Sequence, residues 1–192
     1  MNIRSRFPVW YWVLPVILSV VLMAGTAFAD VINGSFDDGG TGWSTSADPS
    51  DLLAVTFPTV GGDPDSYALL SGNGGGTARL SQSFLCGDPG GDTECTITFQ
   101  YKLFDLLLSE PGTARIAVAI DGFQTVLVDH SQPNWTTATF VVPCGQHTLE
   151  ITLVIDPGDN SWGASIDNVH ALCAGTVDDQ ARSWGGVKGM YR

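Results

Sequence analysis

A carboxylate inside an apolar segment is the residue of this chain whose type and position most suggest chemistry. Asp167 lies in Ser165-Ile-Asp-Asn-Val169, within the last predicted extended segment. Burying an ionised carboxylate is costly unless a cation or several hydrogen-bond donors meet it. The sequence therefore predicts that Asp167 either helps to hold a cation or accepts hydrogen bonds from backbone and side-chain amides.

A second group of polar side chains occupies alternate positions of the predicted strands and therefore shares one face of each strand. In residues 97–103, apolar residues alternate with polar ones, so the two sets face opposite sides of a strand. The polar set comprises Thr98, Gln100, Lys102, Arg115, Glu150 and Thr152. These side chains form either the ordinary solvated face of an antiparallel sheet or a platform for a ligand.

Patterns typical of catalytic sites are weak. His130, His147 and His170 lie on separate predicted segments, without a metal-binding spacing. The glycine-rich residues 72–76 lack the Lys and helix that follow a phosphate-binding loop. The acidic residues cluster with Gly and Pro in predicted turns, although a pair of carboxylates can in general hydrolyse glycosides. The sequence favours a non-catalytic protein.

The elements that position these residues are short extended segments separated by Gly, Pro, Asp and Asn. About ten strands and no helix are predicted, a pattern typical of an all-β antiparallel sandwich. The predicted strands are residues 31–36, 53–57, 67–70, 78–84, 95–107, 114–121, 125–129, 135–142, 147–155 and 164–171. Asp121-Gly122 predicts a two-residue hairpin turn. Alternating apolar residues indicate two sheets, each with one face in water.

The N-terminal residues 1–29 have the features of a secretory signal. Arg4 and Arg6 precede an apolar run, and Ala27-Phe-Ala29 is a small-x-small cleavage site. An uncleaved membrane anchor is the alternative, since the apolar run approaches the length that spans a bilayer. We expect cleavage near Ala29, and hence a mature chain that begins at Asp30 and is secreted, either outside the cell or into a periplasm. No membrane partner is expected for the mature form.

The charge of the mature chain is strongly negative. Removing the signal leaves six basic residues against twenty acidic ones, a net charge of −14. Nucleic acid is excluded as a partner, because binding it requires Lys and Arg to neutralise phosphates. Divalent cations are plausible partners. One domain, residues 30–173, is the simplest organisation.

Four cysteines in a chain routed to an oxidising compartment favour two disulfides. Three connectivities are possible. We favour Cys86–Cys95, because the intervening Gly- and Asp-rich residues read as a loop between neighbouring strand ends. Cys144–Cys173 is then the second pair. A zinc site is the alternative, but there is no CxxC pair.

The motifs at the two ends of the domain resemble those of jelly-roll carbohydrate-binding modules and related galactose-binding-like domains. Asn33-Gly-Ser-Phe-Asp-Asp-Gly-Gly-Thr-Gly-Trp43 is similar to their opening strand and turn, and Asp167-Asn-Val169 to their closing-strand motif. The resemblance implies a jelly-roll β-sandwich. It also implies a structural calcium between the first and last strands, held by Asp37, Asp167 and nearby carbonyl oxygens. The alternative is that Asp37 caps a turn and Asp167 takes amide hydrogen bonds without metal.

Sugar binding, which the resemblance also implies, requires flat aromatic faces and a few hydrogen-bonding side chains. Aromatic residues in predicted loops are the candidates, because binding residues concentrate there. They are Trp162, Tyr67, Trp135 and Phe123. Trp162, between Ser and Gly in an acidic loop, is the preferred exposed platform, whereas Trp135 is expected to pack in the core or at a sheet edge.

The last segment, residues 174–192, combines aromatic and basic residues at the end of an acidic protein. It is expected to be a flexible tail, with a docking peptide for export or surface attachment as the alternative. The sequence thus indicates a secreted, non-catalytic protein similar to carbohydrate-binding modules, with a polysaccharide or glycan as its partner. The alternative is a structural or adhesive protein of the cell surface or extracellular matrix that acts through protein contacts, including self-association.

Overall fold

The computed structural model describes residues 31–62, 65–87, 94–106, 113–158 and 161–173. The predicted signal, residues 1–29, and the predicted tail, residues 174–192, lie outside these ranges. Within the ranges, no helix is both long and apolar enough to cross a membrane.

Two antiparallel five-stranded sheets pack face to face. The described strands are β1 (Ser44–Asp48), β2 (Leu53–Thr56), β3 (Ala68–Asn73), β4 (Gly76–Cys86), β5 (Glu94–Asp105), β6 (Ala114–Ile120), β7 (Phe123–Val128), β8 (Gln132–Pro143), β9 (Gly145–Ile155) and β10 (Ser161–Cys173). Sheet A has the order β1-β4-β9-β6-β7, and sheet B has the order β2-β3-β10-β5-β8. The chain therefore passes back and forth between the sheets, as in a jelly roll, and the predicted all-β sandwich is confirmed.

The core lies between the sheets and includes the apolar rows that alternation along the strands predicted to be buried. On β5, Ile97 and Leu103 are fully buried, whereas Gln100 and Lys102 face outward and are partly exposed. On β9, the inward row is fully or almost fully buried, from His147 to Ile155. Each fully buried Leu or Ile side chain contributes about 1.5–3 kcal/mol of transfer free energy. Burial of these rows fixes which face of each strand meets water.

The N-terminal motif corrects one sequence prediction, because residues 31–36 form turns and not a strand. The side chain of Asn33 bonds the loop internally: Oδ1 accepts from the Asp38 N–H at 3.1 Å. Asn33 and Phe36 have φ angles of 53° and 57°, which a strand does not allow. Phe36 is nevertheless only 1% exposed. The first strand is instead β1, which has no large apolar side chain to mark it.

The cysteines gather at one end of the sandwich. Cys86, which ends β4, and Cys95 near the start of β5 form the predicted disulfide. Cys144 lies between β8 and β9, with its Sγ 3.8 Å from that of Cys95. The pairing of β10 with β5 places the Cα of Cys173 opposite that of Cys95. The Cys144–Cys173 disulfide stays a prediction, and the backbone brings both residues next to Cys95.

Candidate functional site

The predicted polar platform is divided between the two sheets. Gln100 and Lys102 lie on β5 in sheet B, whereas Arg115 lies on β6 in sheet A. Nη1 of Arg115 is 3.2 Å from Oδ1 of Asp156. A hydrogen bond from the Thr113 hydroxyl and the charge of Arg115 outweigh desolvation and lower the pKa of Asp156. Arg115 therefore belongs to a separate ion pair. The sequence grouped it with Lys102 because alternation along a strand does not reveal which sheet the strand joins.

Tyr67, Lys102 and Trp135 form a compact group on the outer face of sheet B, which we call the aromatic–lysine cluster. Nζ of Lys102 lies 4.3 Å from the centroid of the Trp135 ring and 5.9 Å from that of the Tyr67 ring. The two rings meet edge to face, with their centroids 6.4 Å apart. Both aromatic residues are partly exposed. The sequence named Tyr67, Lys102 and Trp135 as candidates for ligand contacts but did not predict that the three would lie together.

A bulge in β8 explains the position of Trp135. In the pairing of β8 with β5, the residue of β8 that pairs after Thr136 is Gln132, four positions away. Their partners on β5 are only two positions apart. Residues 133–135 therefore lie opposite Lys102 alone, and such a bulge bends its strand. The Gln132 amide, which donates to the Thr136 hydroxyl at 3.0 Å, bridges the base of the bulge. The Pro133-Asn134 pair was the signal in the sequence, since both residues favour turns over regular pairing.

Next to the cluster, two amide side chains face each other across β5 and β10. Asn168 Nδ2 donates to Gln100 Oε1 at 3.1 Å. The register of β10 with β5 shifts between Asp167 and His170, and Asn168 has a φ of 50°. This bulge turns the Asn168 amide toward Gln100. Asn and Asp adopt positive φ more readily than most residues, which is why Asn suits this position.

An open depression of about 330 Å³ lies on sheet B near the start of β10. Its lining includes Asp51, Ser71, Asn73, Leu106 and Ser161. The register of β3, β10 and β5 places Ser71 and Lys102 in neighbouring rows of outward-facing side chains. Alternate residues of a strand are about 7 Å apart, so the depression and the cluster are neighbours on one face.

Trp162, the preferred platform residue, is not exposed. It lies inside β10, paired with Gly72 of β3 and Asp105 of β5, and is only 6% exposed. Its side chain belongs to the core cluster between the sheets. The prediction that Trp162 forms an exposed platform is therefore wrong. The flanking Ser and Gly indicated a loop, but β10 begins at Ser161 and carries these residues into the sheet.

The two predicted calcium ligands have different surroundings. Asp167 is 1% exposed, and its Oδ1 accepts from the Asn168 N–H at 2.7 Å. Gly62 lies over the same carboxylate, since a Cβ built at Gly62 would be 2.8 Å from Oδ2. Asp37 is exposed and accepts a hydrogen bond from the Ser35 hydroxyl at 2.9 Å. Among the described side chains, no group of three or more His, Cys, Asp or Glu could hold a metal ion.

No protein-family model matches the sequence, and no curated protein matches it. Solved structures do match in fold. TmCBM61, solved in complex with β-1,4-galactotriose, is 15% identical with a TM-score of 0.52, over 74% of this chain and 97% of that chain. The K3 cleaved adhesin domain of Lys-gingipain from Porphyromonas gingivalis is 15% identical with a TM-score of 0.54, over 75% and 99%.

An enzyme also contains this fold. The enzymatically active domain of tailspike protein 4 from bacteriophage CBA120 is 18% identical with a TM-score of 0.50, over 76% of this chain but only 21% of that chain. At such identities the likeness concerns architecture alone. The described domain therefore has the jelly-roll β-sandwich fold that is found in carbohydrate-binding modules.

Proposed function

We propose that this chain is a secreted, non-catalytic glycan-binding protein that binds through the outer face of sheet B. The observation that carries the proposal is the aromatic–lysine cluster beside the Gln100–Asn168 amide pair. Aromatic rings can pack against the apolar faces of pyranoses, and amides can bond their hydroxyl groups. The TmCBM61 structure supports the proposal, because a module of the same fold was solved with a galactotriose.

The extent of this face favours a chain of sugars over a single one. The depression near Ser71 lies one row of side chains from the row of Lys102, and it combines hydroxyl, amide and carboxylate groups with Leu106. A bound oligosaccharide could therefore contact both regions.

The hydrogen bonds of the buried residue His147 support the non-catalytic part of the proposal. His147 is 7% exposed and lies on β9 of sheet A. Its Nδ1 is 2.7 Å from Asp121 Oδ2, and its Nε2 is 2.7 Å from the Pro143 carbonyl oxygen. Both ring nitrogens are thus engaged by groups of the protein itself, which supports a structural role for this ring.

A pull-down on insoluble polysaccharides and a glycan array test the proposal, using mature protein that begins at Asp30. We expect retention on at least one glycan class, and about tenfold weaker binding for Trp135→Ala and Tyr67→Ala, because aromatic residues commonly dominate binding energy. Phe123→Ala is the matched control, since Phe123 is 86% exposed on β7 of the other sheet. Folded wild-type protein that retains no glycan would overturn the proposal. An equal loss for Phe123→Ala would move the site away from the cluster.

A second candidate function is a structural or adhesive role through protein contacts. The edge strand β7 favours it, because all six of its residues are uncharged, and Phe123 and Val126 are 86% and 54% exposed. An exposed, uncharged edge strand is a template for pairing with another chain. The fold shared with an adhesin domain is consistent with this candidate.

A further inference from the structure

Lys102 differs from Arg79 and Arg115, because it forms no ion pair with any carboxylate that the structure describes. Between residues 30 and 173 the sequence has three Lys or Arg residues: Arg79, Lys102 and Arg115. Nε of Arg79 is 3.3 Å from Glu150 Oε1, and Arg115 is paired with Asp156. In the described ranges, no carboxylate oxygen lies within the 4.0 Å limit for an ion pair with Lys102. Within the part of the chain that the structure describes, this ammonium group is therefore not paired with a carboxylate.

The position of the ammonium group also restricts what can bind. Nζ of Lys102 is 4.3 Å from the Trp135 ring centroid and therefore occupies one face of the indole. A neutral pyranose that stacked on this face would displace a cation–π contact. An anionic substituent, in contrast, can pair with the ammonium group while that contact remains. The face of Trp135 that Lys102 covers therefore favours a negatively charged ligand over a neutral one.

The neighbouring amide presents a hydrogen-bond donor to the same ligand. Gln100 lies two residues before Lys102 on β5, about 7 Å away on the same face. Its Oε1 already accepts from Asn168 Nδ2, so the Gln100 group that remains for a ligand is its NH₂. An ammonium group and an amide donor side by side match an acceptor-rich group such as a carboxylate or sulfate.

From these three features we propose that the aromatic–lysine cluster selects anionic glycans, which carry a carboxylate or sulfate group on the pyranose ring. The anion pairs with Lys102 and accepts from Gln100, while the exposed parts of Tyr67 and Trp135 contact the sugar ring. This inference rests on the proposed function, because it names the glycan class that the same surface recognises.

The net negative charge of the protein does not prevent such selection. At physiological salt, interactions between exposed charges are largely screened beyond about 8 Å. Direct pairing at Lys102 is therefore decided locally, while the remaining acidic residues slow the approach of a polyanion. Added salt weakens both effects, so salt dependence is a poor test. A pair of ligands that differ only in charge is a better one.

The test compares matched ligands by affinity electrophoresis and calorimetry on mature protein, in EDTA so that divalent cations cannot bridge carboxylates. The carboxylate pair is polygalacturonate and its carboxyl-reduced galactan, and the sulfate pair is dextran sulfate and dextran. We expect at least one anionic member to bind about tenfold more tightly than its neutral counterpart, as a charge-assisted hydrogen bond permits. Lys102→Met should abolish this preference, and Lys102→Arg should retain most of it.

Arg115→Gln is the control for general charge, because Arg115 lies on sheet A in its own ion pair. A loss of preference for Arg115→Gln equal to that for Lys102→Met would overturn the inference, as would equal binding of charged and neutral partners by wild type. If charged and neutral members bind equally well and Trp135→Ala abolishes that binding, only the inference fails. If nothing binds in the glycan screen or here, the proposed function fails as well. Retention of the preference by folded Lys102→Met would assign the anion to another site.

Discussion

Asp121 joins the β6–β7 hairpin to the neighbouring strand β9 through three contacts. Its Oδ1 accepts from the Thr148 N–H at 2.8 Å, its own N–H donates to the Thr148 carbonyl at 3.0 Å, and Oδ2 is 2.7 Å from His147 Nδ1. The residue has a φ of 52°, as the first position of the predicted Asp-Gly turn requires. One side chain thus serves both the turn and the sheet. The sequence predicted the turn but not the bond to His147.

These contacts make the stability of the protein depend on pH. Desolvation raises the pKa of Asp121, but the hydrogen bonds from His147 and Thr148 outweigh it, so the pKa lies below its ordinary value of 3.8. Near pH 3.8 the unfolded chain therefore binds more protons at this residue than the native chain, and stability falls as the pH falls through this window. The contribution of Asp121 is present above pH 3.8 and is lost below its native pKa.

We therefore predict that Asp121→Asn costs about 1 kcal/mol of unfolding free energy at pH 7 and much less at pH 2. The figure is modest because the Asp121 side chain is 44% exposed and its charge is screened. Urea unfolding at the two pH values measures the difference. Asp129→Asn, at an exposed Asp129–His130 pair, is the control and should be nearly neutral at both. An Asp121→Asn cost that is independent of pH would contradict the assignment.

At the scale of single residues, the sequence predicted correctly which residues of a strand share a face. It did not predict positions that depend on how a strand pairs with its neighbour. The alternation in β5 correctly placed Gln100 and Lys102 on an outer face. Trp162 was wrongly expected to be exposed, since it is buried in β10. Trp135 lies on the edge strand β8, as expected, but reaches the outer face through a bulge that was not predicted. Both positions depend on how a neighbouring strand pairs, and local residue types do not encode this.

At the scale of elements, the junction between the N-terminal loop and β10 replaces the missing first strand. The Val169 N–H donates to the Gly34 carbonyl at 3.0 Å, so the loop takes over a hydrogen bond that a neighbouring strand would make. Only glycine fits there, because a Cβ at Gly34 would lie 1.9 Å from the Val169 carbonyl oxygen. The sequence identified both partners of this junction but described the first as a strand. Turn chemistry centred on Asn33 overrode the apparent extended pattern.

A calcium ion at this junction is a prediction of the resemblance, which we propose to test by thermal unfolding. Asp167 would supply the buried carboxylate, and Asp37 an exposed one on the same loop as Gly34. A ligand that binds only the native state stabilises it by about 2.7 kcal/mol at a hundred times its Kd. We expect a melting temperature several degrees higher in excess calcium than in EDTA, and no such increase for Asp167→Asn. Equal wild-type melting temperatures in calcium and EDTA would refute the metal site.

At the scale of the whole molecule, the cysteines lie at one end of the sandwich, where disulfides can join strand ends. Cys86–Cys95 joins β4 of sheet A to β5 of sheet B, and a Cys144–Cys173 bond would add the β8–β9 turn and the end of β10. Peptide mapping without reduction should therefore recover these two pairs and no free thiol. A peptide that links Cys144 to Cys86 or Cys95 would exclude the predicted pairing. Because each closed loop restricts the unfolded chain, loss of the second pair should cost about 2–4 kcal/mol.

Self-association is the property of the whole molecule that separates the two candidate functions. Sheet A exposes the uncharged edge β7, whereas the edge β8 of sheet B carries Pro133 and ends at Pro143, and proline opposes strand pairing. The net charge of −14 predicted for the mature chain would repel a second copy, and salt screens such repulsion. If the adhesive candidate is correct, association should therefore increase with salt.

Light scattering coupled to size exclusion, from 20 mM to 1 M NaCl, measures this association. Val126→Lys places a charge on the open edge β7 and should keep the protein monomeric at every salt concentration. Val141→Lys is the matched control, because Val141 is similarly exposed, at 59%, on the edge strand β8. A wild-type protein that stays monomeric in 1 M salt would remove the β7 edge from the argument, and glycan binding would then stand as the only candidate that a described surface supports.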